Sequence, residues 1–539
     1  MAHDESAALQ GATVRELMSR PALKLAKIRQ LNEQGRAAER EYYVCSIPDA
    51  QERAALRREL GVTLHTAAGR VVVLITVECL RADHLSCNGY PRRTSAAIDA
   101  LAAGGVNFPR AYAAAGDTAQ SAPGLLMSTL YQNFGSSRRI PPEMTTLAEA
   151  LCAAGFHNIA FNAGQAQACR FYGYGRGFDE FSDFIIPQDA RLGVFADHTY
   201  RRLQPLSEQE LAALLEDCQQ HPDIYKVLVE MTGFKGMELA QRVGGCGRFF
   251  PYGAADIIPC ALYSLLEDGD RRDRFYWLHL MDVHENITVP WSPLGSFAPL
   301  EQFFLNQCVA DPMGRSALGA RAEKYQQLYD SAVAYVDAHV QVLCNLLSDL
   351  GLMDRSLVCL TADHGQELLE RGVFGHAADR MAEGLVHVPL VFGGGLAAGL
   401  GGGAAGRPVS ALDVAPTILD LCDAGPAPQS FLGATLRDTH PRRVYGQGFY
   451  DGAEHLVPDG ARRFRLTPFP APVRDCCKEI HYCIDSAWHF VRDLGRGTAE
   501  LHRLAVSPGP QPDAALMARQ TEQWLEGACR LPRRERQVG

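Results

Sequence analysis

The chain has 539 residues, of which 47% are hydrophobic, 21% charged and 8% aromatic, and its formal net charge is −10. This length exceeds the roughly 150 residues expected of one domain, and the composition excludes a mainly disordered or fibrous chain. The acidic balance argues against a broad basic surface for nucleic acid, because phosphate binding needs clustered lysine and arginine. No apolar run reaches the roughly 20 residues of a membrane helix, and the polar N-terminus has no apolar signal core. We therefore expect a soluble, cytoplasmic protein.

The sixteen cysteines are scattered along the chain, and no Cys-x-x-Cys pair occurs. A zinc ribbon is excluded because its paired-cysteine spacing is missing. Most of the cysteines stand among apolar residues, as Cys359 does. Buried free thiols are therefore expected rather than a disulfide framework.

Residues 1–69 are predicted to form a helical extension. The stretch from residue 12 to about 60 is charged and carries apolar residues at spacings of three and four, which is typical of amphipathic helices. It is followed by Val71–Val77, a continuous run of β-favouring residues. Such a run indicates a strand that is buried on both faces of a parallel sheet.

Strands and helices alternate between residues 70 and 440, which predicts an α/β sandwich with a largely parallel central sheet flanked by helices. Residues 441–539 carry shorter β-like pieces such as Trp488–Arg492 and then a helix, which predicts a smaller C-terminal subdomain. The glycine- and alanine-rich residues 393–406 are predicted to form a surface loop. The other predicted strands are Phe275–Leu280, Ser356–Thr361 and Val388–Phe392, and the predicted helices are Ile98–Ala103, Thr146–Ala153, Tyr325–Leu350 and Asp513–Ala528.

Acidic and imidazole side chains follow three of these strands. Glu78 follows the first strand. Asp282 and His284 follow the strand that ends at residue 280, and Asp363 and His364 follow the strand that ends at residue 361. In open α/β sheets, ligands bind at the carboxyl ends of the strands. Because a divalent cation compensates the desolvation of clustered carboxylates and imidazoles, these three ends predict a metal site.

Seven short motifs follow one another between residues 70 and 440. They are Val77–Tyr90, Ile98–Phe108, Thr118–Ser128, Leu278–His284, Tyr329–Asp337, Leu360–Gly365 and Val386–Leu390. Taken in this order, the motifs resemble the sulfatase / alkaline-phosphatase superfamily. The resemblance implies an alkaline-phosphatase-like sandwich, one or two divalent metal ions and an alkoxide-type nucleophile.

The resemblance places the nucleophile within Ala115–Ser128. Sulfatases carry at this point a cysteine or serine followed by x-Pro-x-Arg, which is converted to formylglycine. Alignment on the downstream Leu-Leu-Met-Ser puts Thr118 at the nucleophile position, and the nearby Ser121-Ala-Pro-Gly-Leu125 lacks the arginine. A threonine cannot become formylglycine. Thr118 is therefore predicted to accept a phosphoryl group and to form a covalent phospho-threonine.

The resemblance also implies the metal ligands, which are Glu78, Thr118, Asp363 and His364. This set resembles that of the phosphoglycerol and phosphoethanolamine transferases of the superfamily. Mixed oxygen and nitrogen donors favour Mn²⁺ or Zn²⁺, with Mg²⁺ or Ca²⁺ as further possibilities. The transferases of the superfamily are anchored by membrane helices that this sequence lacks, so a soluble phosphate-ester substrate is expected.

The roles of the remaining histidines stay open at this point. His279, Asp282, His284 and His376 would hold a second ion, or His284 and His376 would act as catalytic proton donors. His279, together with two basic residues, is also a candidate for binding substrate. The complete predicted substrate-binding set is Arg81, His279 and Lys324.

The function expected from the sequence is a metal-dependent hydrolase or transferase of phosphate esters, with phosphodiesters favoured. The alternatives are a sulfuric-ester hydrolase, a phosphomonoesterase of the same superfamily, and a non-catalytic member that uses the fold for binding. Residues 185–260 resemble an insertion and carry no interpretable motif.

Overall fold

A computed structural model describes residues 12, 14–65, 69–134, 139–182, 253–266, 272–285, 287–295, 297, 301–302, 305–306, 319–370, 372–377, 380–401, 406–440, 442–449, 455–458, 464–467, 479–485, 487–494, 496–504 and 513–528. Most of the predicted insertion at residues 185–260 lies outside the described residues.

The strands in chain order are β1 Val71–Val77, β2 Val106–Asn107, β3 Ala111–Tyr112, β4 His157–Asn162, β5 Glu180–Ser182, β6 Arg274–Leu280, β7 Ser356–Thr361, β8 Glu367–Leu368, β9 Phe374–Gly375, β10 His387–Val388, β11 Leu390–Gly393, β12 Val409–Ser410, β13 Val444–Phe449, β14 His455–Pro458, β15 Phe464–Thr467, β16 Glu479–Ile484, β17 Trp488–Asp493 and β18 Thr498–Arg503.

The helices are α1 Val14–Ser19, α2 Pro21–Glu33, α3 Ala37–Cys45, α4 Ala50–Glu59, α5 Ala96–Ala103, α6 Thr118–Met127, α7 Leu147–Ala153, α8 Ala254–Leu266, α9 Gly319–Asp349, α10 Glu383–Val386, α11 Val414–Leu421 and α12 Ala514–Ala528. None of these helices is long and apolar enough to cross a bilayer.

A seven-stranded sheet forms the centre of the molecule, in the order β2-β11-β7-β1-β6-β4-β5. The five strands from β7 to β5 run parallel, whereas β11 is antiparallel to β7 and to β2. Every residue of β1, β6 and β7 is buried, as expected for strands covered on both faces. The predicted α/β sandwich with a largely parallel sheet is confirmed.

The C-terminal region contains a separate antiparallel sheet in the order β13-β16-β17-β18. This sheet contacts the segment that leads into α6, because Gln447 N donates to Ala114 O at 3.0 Å and the Tyr482 hydroxyl donates to Ala113 O. The smaller C-terminal part predicted from the sequence is therefore seen as a second sheet. The division into residues 1–69, 70–440 and 441–539 stays a prediction.

Two local predictions need correction. The predicted strand Val388–Phe392 is divided at Pro389, which has no amide hydrogen for a sheet: β10 pairs with β3, and β11 joins the central sheet. The predicted loop at residues 393–406 contains a 3₁₀ helix over Gly395–Leu400. The high glycine content of this segment lowers its helix propensity, so the sequence did not predict the short helix.

Candidate active site

Strands β1, β6 and β7 end at the same edge of the sheet. The register pairs Thr76 of β1 with His279 of β6 and with Thr361 of β7. Glu78 directly follows β1, and Asp363 lies two residues beyond the end of β7. The three predicted strand ends therefore meet, as the parallel arrangement requires.

Glu78 lies at the centre of this edge and is fully buried. Its Oε2 lies 2.9 Å from His279 Nε2. A carboxylate only accepts hydrogen bonds, so Nε2 of His279 carries the hydrogen. The other ring nitrogen, Nδ1, lies 2.7 Å from the Thr76 hydroxyl, which itself accepts from Trp277 Nε1 at 3.0 Å. This chain of hydrogen bonds fixes both the ring of His279 and the carboxylate of Glu78.

Thr118 is the first residue of α6. Asp117 caps the helix, since its side chain accepts from Gln120 N at 3.0 Å, and the cap therefore lies one residue before the threonine. The Thr118 hydroxyl donates to Glu78 Oε1 and lies 3.2 Å from His364 Nε2. Gly116 permits this approach, because a Cβ there would lie 2.6 Å from the carbonyl oxygen of Arg380.

Gln165 is a site residue that the sequence analysis missed. Its Nε2 donates to Glu78 Oε1 at 3.1 Å and to Thr118 Oγ1 at 3.2 Å. The side chain lies three residues beyond β4, which neighbours β6 in the sheet. Its position after a fourth parallel strand could have identified it. The strand-end prediction considered only acidic and imidazole side chains, and glutamine carries an uncharged amide.

Asp363 and His364 face Glu78 from the end of β7. His364 Nδ1 lies 2.8 Å from the carbonyl oxygen of Gly365, which leaves Nε2 directed at the cluster, 3.4 Å from Glu78 Oε1 and 3.6 Å from Asp363 Oδ2. A Cβ at Gly365 would lie 2.2 Å from the carbonyl oxygen of Gly384. Only glycine therefore allows the chain to pass here.

The buried acids shift one another's protonation. Burial alone would raise the pKa of Glu78, but hydrogen bonds with His279 and His364 hold this pKa well below its usual value. Burial and the charge of Glu78 raise the pKa of Asp363 to about 7. Ionising both carboxylates in this buried site costs free energy, so a bound cation would be favourable here.

The donor set fits a divalent metal ion. Both carboxylate oxygens of Asp363 are buried and have no hydrogen-bond partner among the described residues. The atoms around His364 Nε2 lie 3.2 to 3.6 Å away, close to the roughly 3.3 Å expected between ligands that share one tetrahedral ion at about 2 Å. The other ring nitrogen of His364, Nδ1, donates a hydrogen bond to a backbone carbonyl, as metal-binding histidines usually do. Glu78, Thr118, Asp363 and His364 would hold the ion.

His376 and His284 extend the cluster on the side of His364. The His376 ring lies 4.6 Å from that of His364 and 4.9 Å from that of His284, measured between centroids. Burial and the neighbouring rings of His364 and His284 lower the pKa of His376 well below its usual value, so this imidazole is neutral at pH 7. His284, Glu285 and His376 form a further group whose donor atoms lie within 4.8 Å of one another.

The remaining predicted residues have other contacts. Arg81 is buried and donates to both carboxylate oxygens of Asp83, at 2.9 and 2.7 Å. Lys324 is 58% exposed and pairs with Glu301. Asp282 accepts from Ala254 N at 2.8 Å and so meets the start of α8. The substrate-binding roles of Arg81, His279 and Lys324 stay predictions.

Comparison with known proteins gives a family match. The family model named Sulfatase matches residues 70–424. Human arylsulfatase K is 30% identical over 165 residues, which cover 30% of this chain and 28% of that protein. The choline-sulfatase of Rhizobium meliloti (strain 1021) is 28% identical over 254 residues, 46% of each chain. The chain thus spans less than half the length of these two relatives.

Solved structures share the fold. A phosphonate monoester hydrolase from Silicibacter pomeroyi superposes with a TM-score of 0.53 at 16% sequence identity, and the match covers 85% of this chain and 95% of that one. At this identity the likeness shows the architecture and not the activity.

Proposed function

The chain belongs to the sulfatase family, and from this premise we propose that it is a metal-dependent hydrolase or transferase of phosphate esters that works through a covalent phospho-threonine at Thr118. Phosphodiesters are the favoured substrates, and a soluble substrate in the cytoplasm is the setting expected from the sequence. One observation carries the proposal: the Thr118 hydroxyl donates to Glu78 and lies 3.2 Å from His364 Nε2.

The chemistry of threonine separates this site from that of a formylglycine enzyme. Formylglycine forms by oxidation of a CH₂ group that bears oxygen or sulfur. The Cβ of Thr118 bears the oxygen, but a methyl group replaces one of the two hydrogens, so its oxidation cannot give an aldehyde. The side chain therefore keeps its hydroxyl, which is a weak nucleophile until its proton is removed. Glu78 has a carboxylate oxygen in place to accept that proton.

The described residues suggest how two successive transfers would run. Thr118 Oγ1 attacks the phosphorus atom and gives its proton to Glu78, while the bond from phosphorus to the leaving oxygen breaks. The leaving oxygen takes a proton from His284 or from water. Water or an acceptor alcohol then attacks the phosphorus atom and gives its proton to His284 or to solvent, while the bond to Thr118 Oγ1 breaks and Oγ1 takes its proton back from Glu78.

A divalent ion held by Glu78, Thr118, Asp363 and His364 would lower the pKa of the threonine hydroxyl and polarise the phosphoryl group. The protein's own contribution is to fix the attacking atom. Gln165 and His364 hold Thr118 from two sides, and His279 holds Glu78. His284 and His376 are partly exposed, so the substrate would enter on their side.

Sulfuric-ester hydrolysis is the second candidate. It is favoured by the curated relatives, which are named arylsulfatases and choline-sulfatase. Direct attack by the Thr118 hydroxyl on a sulfate ester would give a threonine sulfate, which lacks the formylglycine route of breakdown. A phosphomonoesterase and a non-catalytic binding protein are the remaining alternatives.

The test compares bis(p-nitrophenyl) phosphate, p-nitrophenyl phosphate and p-nitrophenyl sulfate as substrates, with added Mn²⁺ or Zn²⁺. We expect metal-dependent cleavage of the diester, a loss of roughly 10³-fold or more in kcat for Thr118→Ala, and partial activity for Thr118→Ser. Thr521→Ala is the matched control, because Thr521 is also buried but its hydroxyl donates to Met517 O within α12. Cleavage of the sulfate ester, or diester cleavage that survives in Thr118→Ala, would overturn the proposal.

A further inference from the structure

Cys79 lies in the wall of the active site and has no role in the mechanism above. It follows Glu78 at the end of β1, and its side chain is fully buried. Its backbone has a φ of +62°, in the left-handed region that residues other than glycine rarely adopt. The chain thus turns sharply here and presents two successive side chains to the same cluster.

The thiol of Cys79 lies between two imidazole rings. Its Sγ is 3.6 Å from His376 Nδ1 and 3.9 Å from His364 Nδ1. One donor atom from each of Glu78, Cys79, His364 and His376 lies within 4.8 Å of the others. Carboxylate, thiolate and two imidazoles are the ligand types that bind Zn²⁺ in proteins.

A second observation points to a cation at this place. Asp363 is 1% exposed, and neither of its carboxylate oxygens has a hydrogen-bond partner among the described residues. Its Oδ2 lies 3.6 Å from His364 Nε2, whereas the thiol lies 3.9 Å from Nδ1 of the same ring. A buried carboxylate without partners needs a compensating charge.

We propose that Cys79 is a sulfur ligand of the metal centre and that it makes the centre select thiophilic ions such as Zn²⁺ over Mg²⁺ and Ca²⁺. Together with Glu78, His364 and His376 it provides a mixed oxygen, nitrogen and sulfur site. When the ion binds, the thiol loses its proton to solvent and a bond from sulfur to the metal forms. This inference rests on the metal centre of the proposed function.

Cys359 provides a contrast within the same sheet. It is also fully buried, but it lies inside β7, where its register partners are Leu74 and Phe392. Its surroundings are those of an ordinary core thiol. A variant at this position therefore removes a buried thiol without touching the cluster.

The first experiment titrates the metal-free full-length protein with Co²⁺, and compares the wild type with Cys79→Ser and Cys359→Ala. We expect a near-ultraviolet sulfur-to-cobalt charge-transfer band in the wild type and in Cys359→Ala, and no such band in Cys79→Ser. Competition between Zn²⁺ and Mn²⁺ should show the preference for Zn²⁺ reduced roughly tenfold or more in Cys79→Ser. A band that survives in folded Cys79→Ser overturns the inference.

The second experiment needs no variant. X-ray absorption at the zinc edge of the wild-type holoenzyme should show one sulfur neighbour at about 2.3 Å. Stoichiometric zinc with only oxygen and nitrogen neighbours would overturn the role of Cys79 and leave the proposed function intact. A protein that binds no metal ion would overturn both the role of Cys79 and the proposed function. Sulfur-bound zinc without any Thr118-dependent ester cleavage would overturn the proposed function alone.

Discussion

Thr118 and Asp363 show how single side chains determine what this site can do. The threonine keeps a hydroxyl where a formylglycine enzyme carries an aldehyde, and in the proposed mechanism the hydroxyl loses its proton to Glu78, to which it donates a hydrogen bond. Within the described part of the chain, neither carboxylate oxygen of Asp363 has a hydrogen-bond partner. A buried carboxylate without hydrogen-bond partners lowers stability, which is consistent with the proposed role of Asp363 as a metal ligand.

Replacing Asp363 with asparagine should stabilise the metal-free protein at pH 8. Burial and the charge of Glu78 raise the pKa of Asp363 to about 7, above its value of about 3.9 in an unfolded chain. The native state therefore binds more protons, and the wild type loses stability as pH rises from about 4 to about 7. Urea unfolding in EDTA should show Asp363→Asn more stable at pH 8, by up to about 4 kcal/mol, with the difference shrinking toward pH 5.

Added Zn²⁺ or Mn²⁺ provides the control for this prediction. Only the wild type should then gain stability, since a ligand that binds the native state alone stabilises it. An Asp363→Asn protein that is less stable than the wild type at pH 8 in EDTA would show that the carboxylate has a favourable partner.

Single residues differed in how well the sequence predicted them. The clustering of charged groups at strand ends, such as Glu78, Asp363 and His364, was predictable because the strands were clear, whereas their role as metal ligands stays a prediction. Gln165 and Cys79 were missed, because an amide and a buried thiol are common elsewhere in a protein. Their proximity to Thr118 and His376 becomes visible only in the folded structure.

Helix α6 is the element that presents Thr118, the proposed nucleophile. It begins at Thr118, and the side chain of Asp117 accepts a hydrogen bond from Gln120 N. The C-terminal sheet supports the preceding residues through Gln447 and Tyr482. The strands β1, β6 and β7 were predicted nearly to the residue, because long buried apolar runs admit few alternatives. The division between β10 and β11 at a proline was not predicted, because it depends on how the two strands pair in three dimensions.

Removing the cap of α6 should affect stability and activity together. Asp117→Ala leaves the amide of Gln120 without its partner, which costs about 1 kcal/mol, and loosens the turn that holds Thr118. We expect a lower kcat for diester cleavage in addition to the loss of stability. Steady-state kinetics and urea unfolding measure the two effects.

The cap of α7 supplies the matched control. Thr146 caps that helix and accepts from Glu149 N at 3.0 Å, so Thr146→Ala should cost a similar free energy. Its kcat should remain that of the wild type. Equal losses of activity in both variants would mean that the cap of α6 acts through global stability only.

The N-terminal helices are joined to the body of the whole molecule by buried ion pairs. Arg53 donates to both carboxylate oxygens of Asp349, at 2.7 and 2.8 Å, and Arg57 donates to the same carboxylate at 2.7 Å. Asp349 is the last residue of α9. Charged residues at helical spacing predicted the helices, but their partners, nearly 300 positions away in the chain, could not be predicted from local spacing.

Asp349→Asn should weaken the attachment of these helices without altering the chemistry. Loss of one member of a buried ion pair leaves the other charge uncompensated, and we expect a loss of about 3 kcal/mol in the free energy of unfolding. Proteolysis should begin earlier in the N-terminal helices, while kcat stays that of the wild type.

An exposed ion pair on the same helices serves for comparison. Arg29 and Glu59 are 54% and 55% exposed, so Glu59→Gln should cost less than about 0.5 kcal/mol. If Asp349→Asn cost no more than Glu59→Gln, the buried pairs would not be what holds the helices to α9.

Trapping the covalent intermediate tests the proposed role of Thr118 as the nucleophile. The protein is incubated with a phosphodiester and Zn²⁺, quenched in acid within one turnover, digested and examined by mass spectrometry. We expect a phosphoryl adduct on Thr118 that is absent from Thr118→Ala and present in Thr521→Ala. Turnover of the diester without any adduct on Thr118, or with the adduct on another residue, would contradict that role.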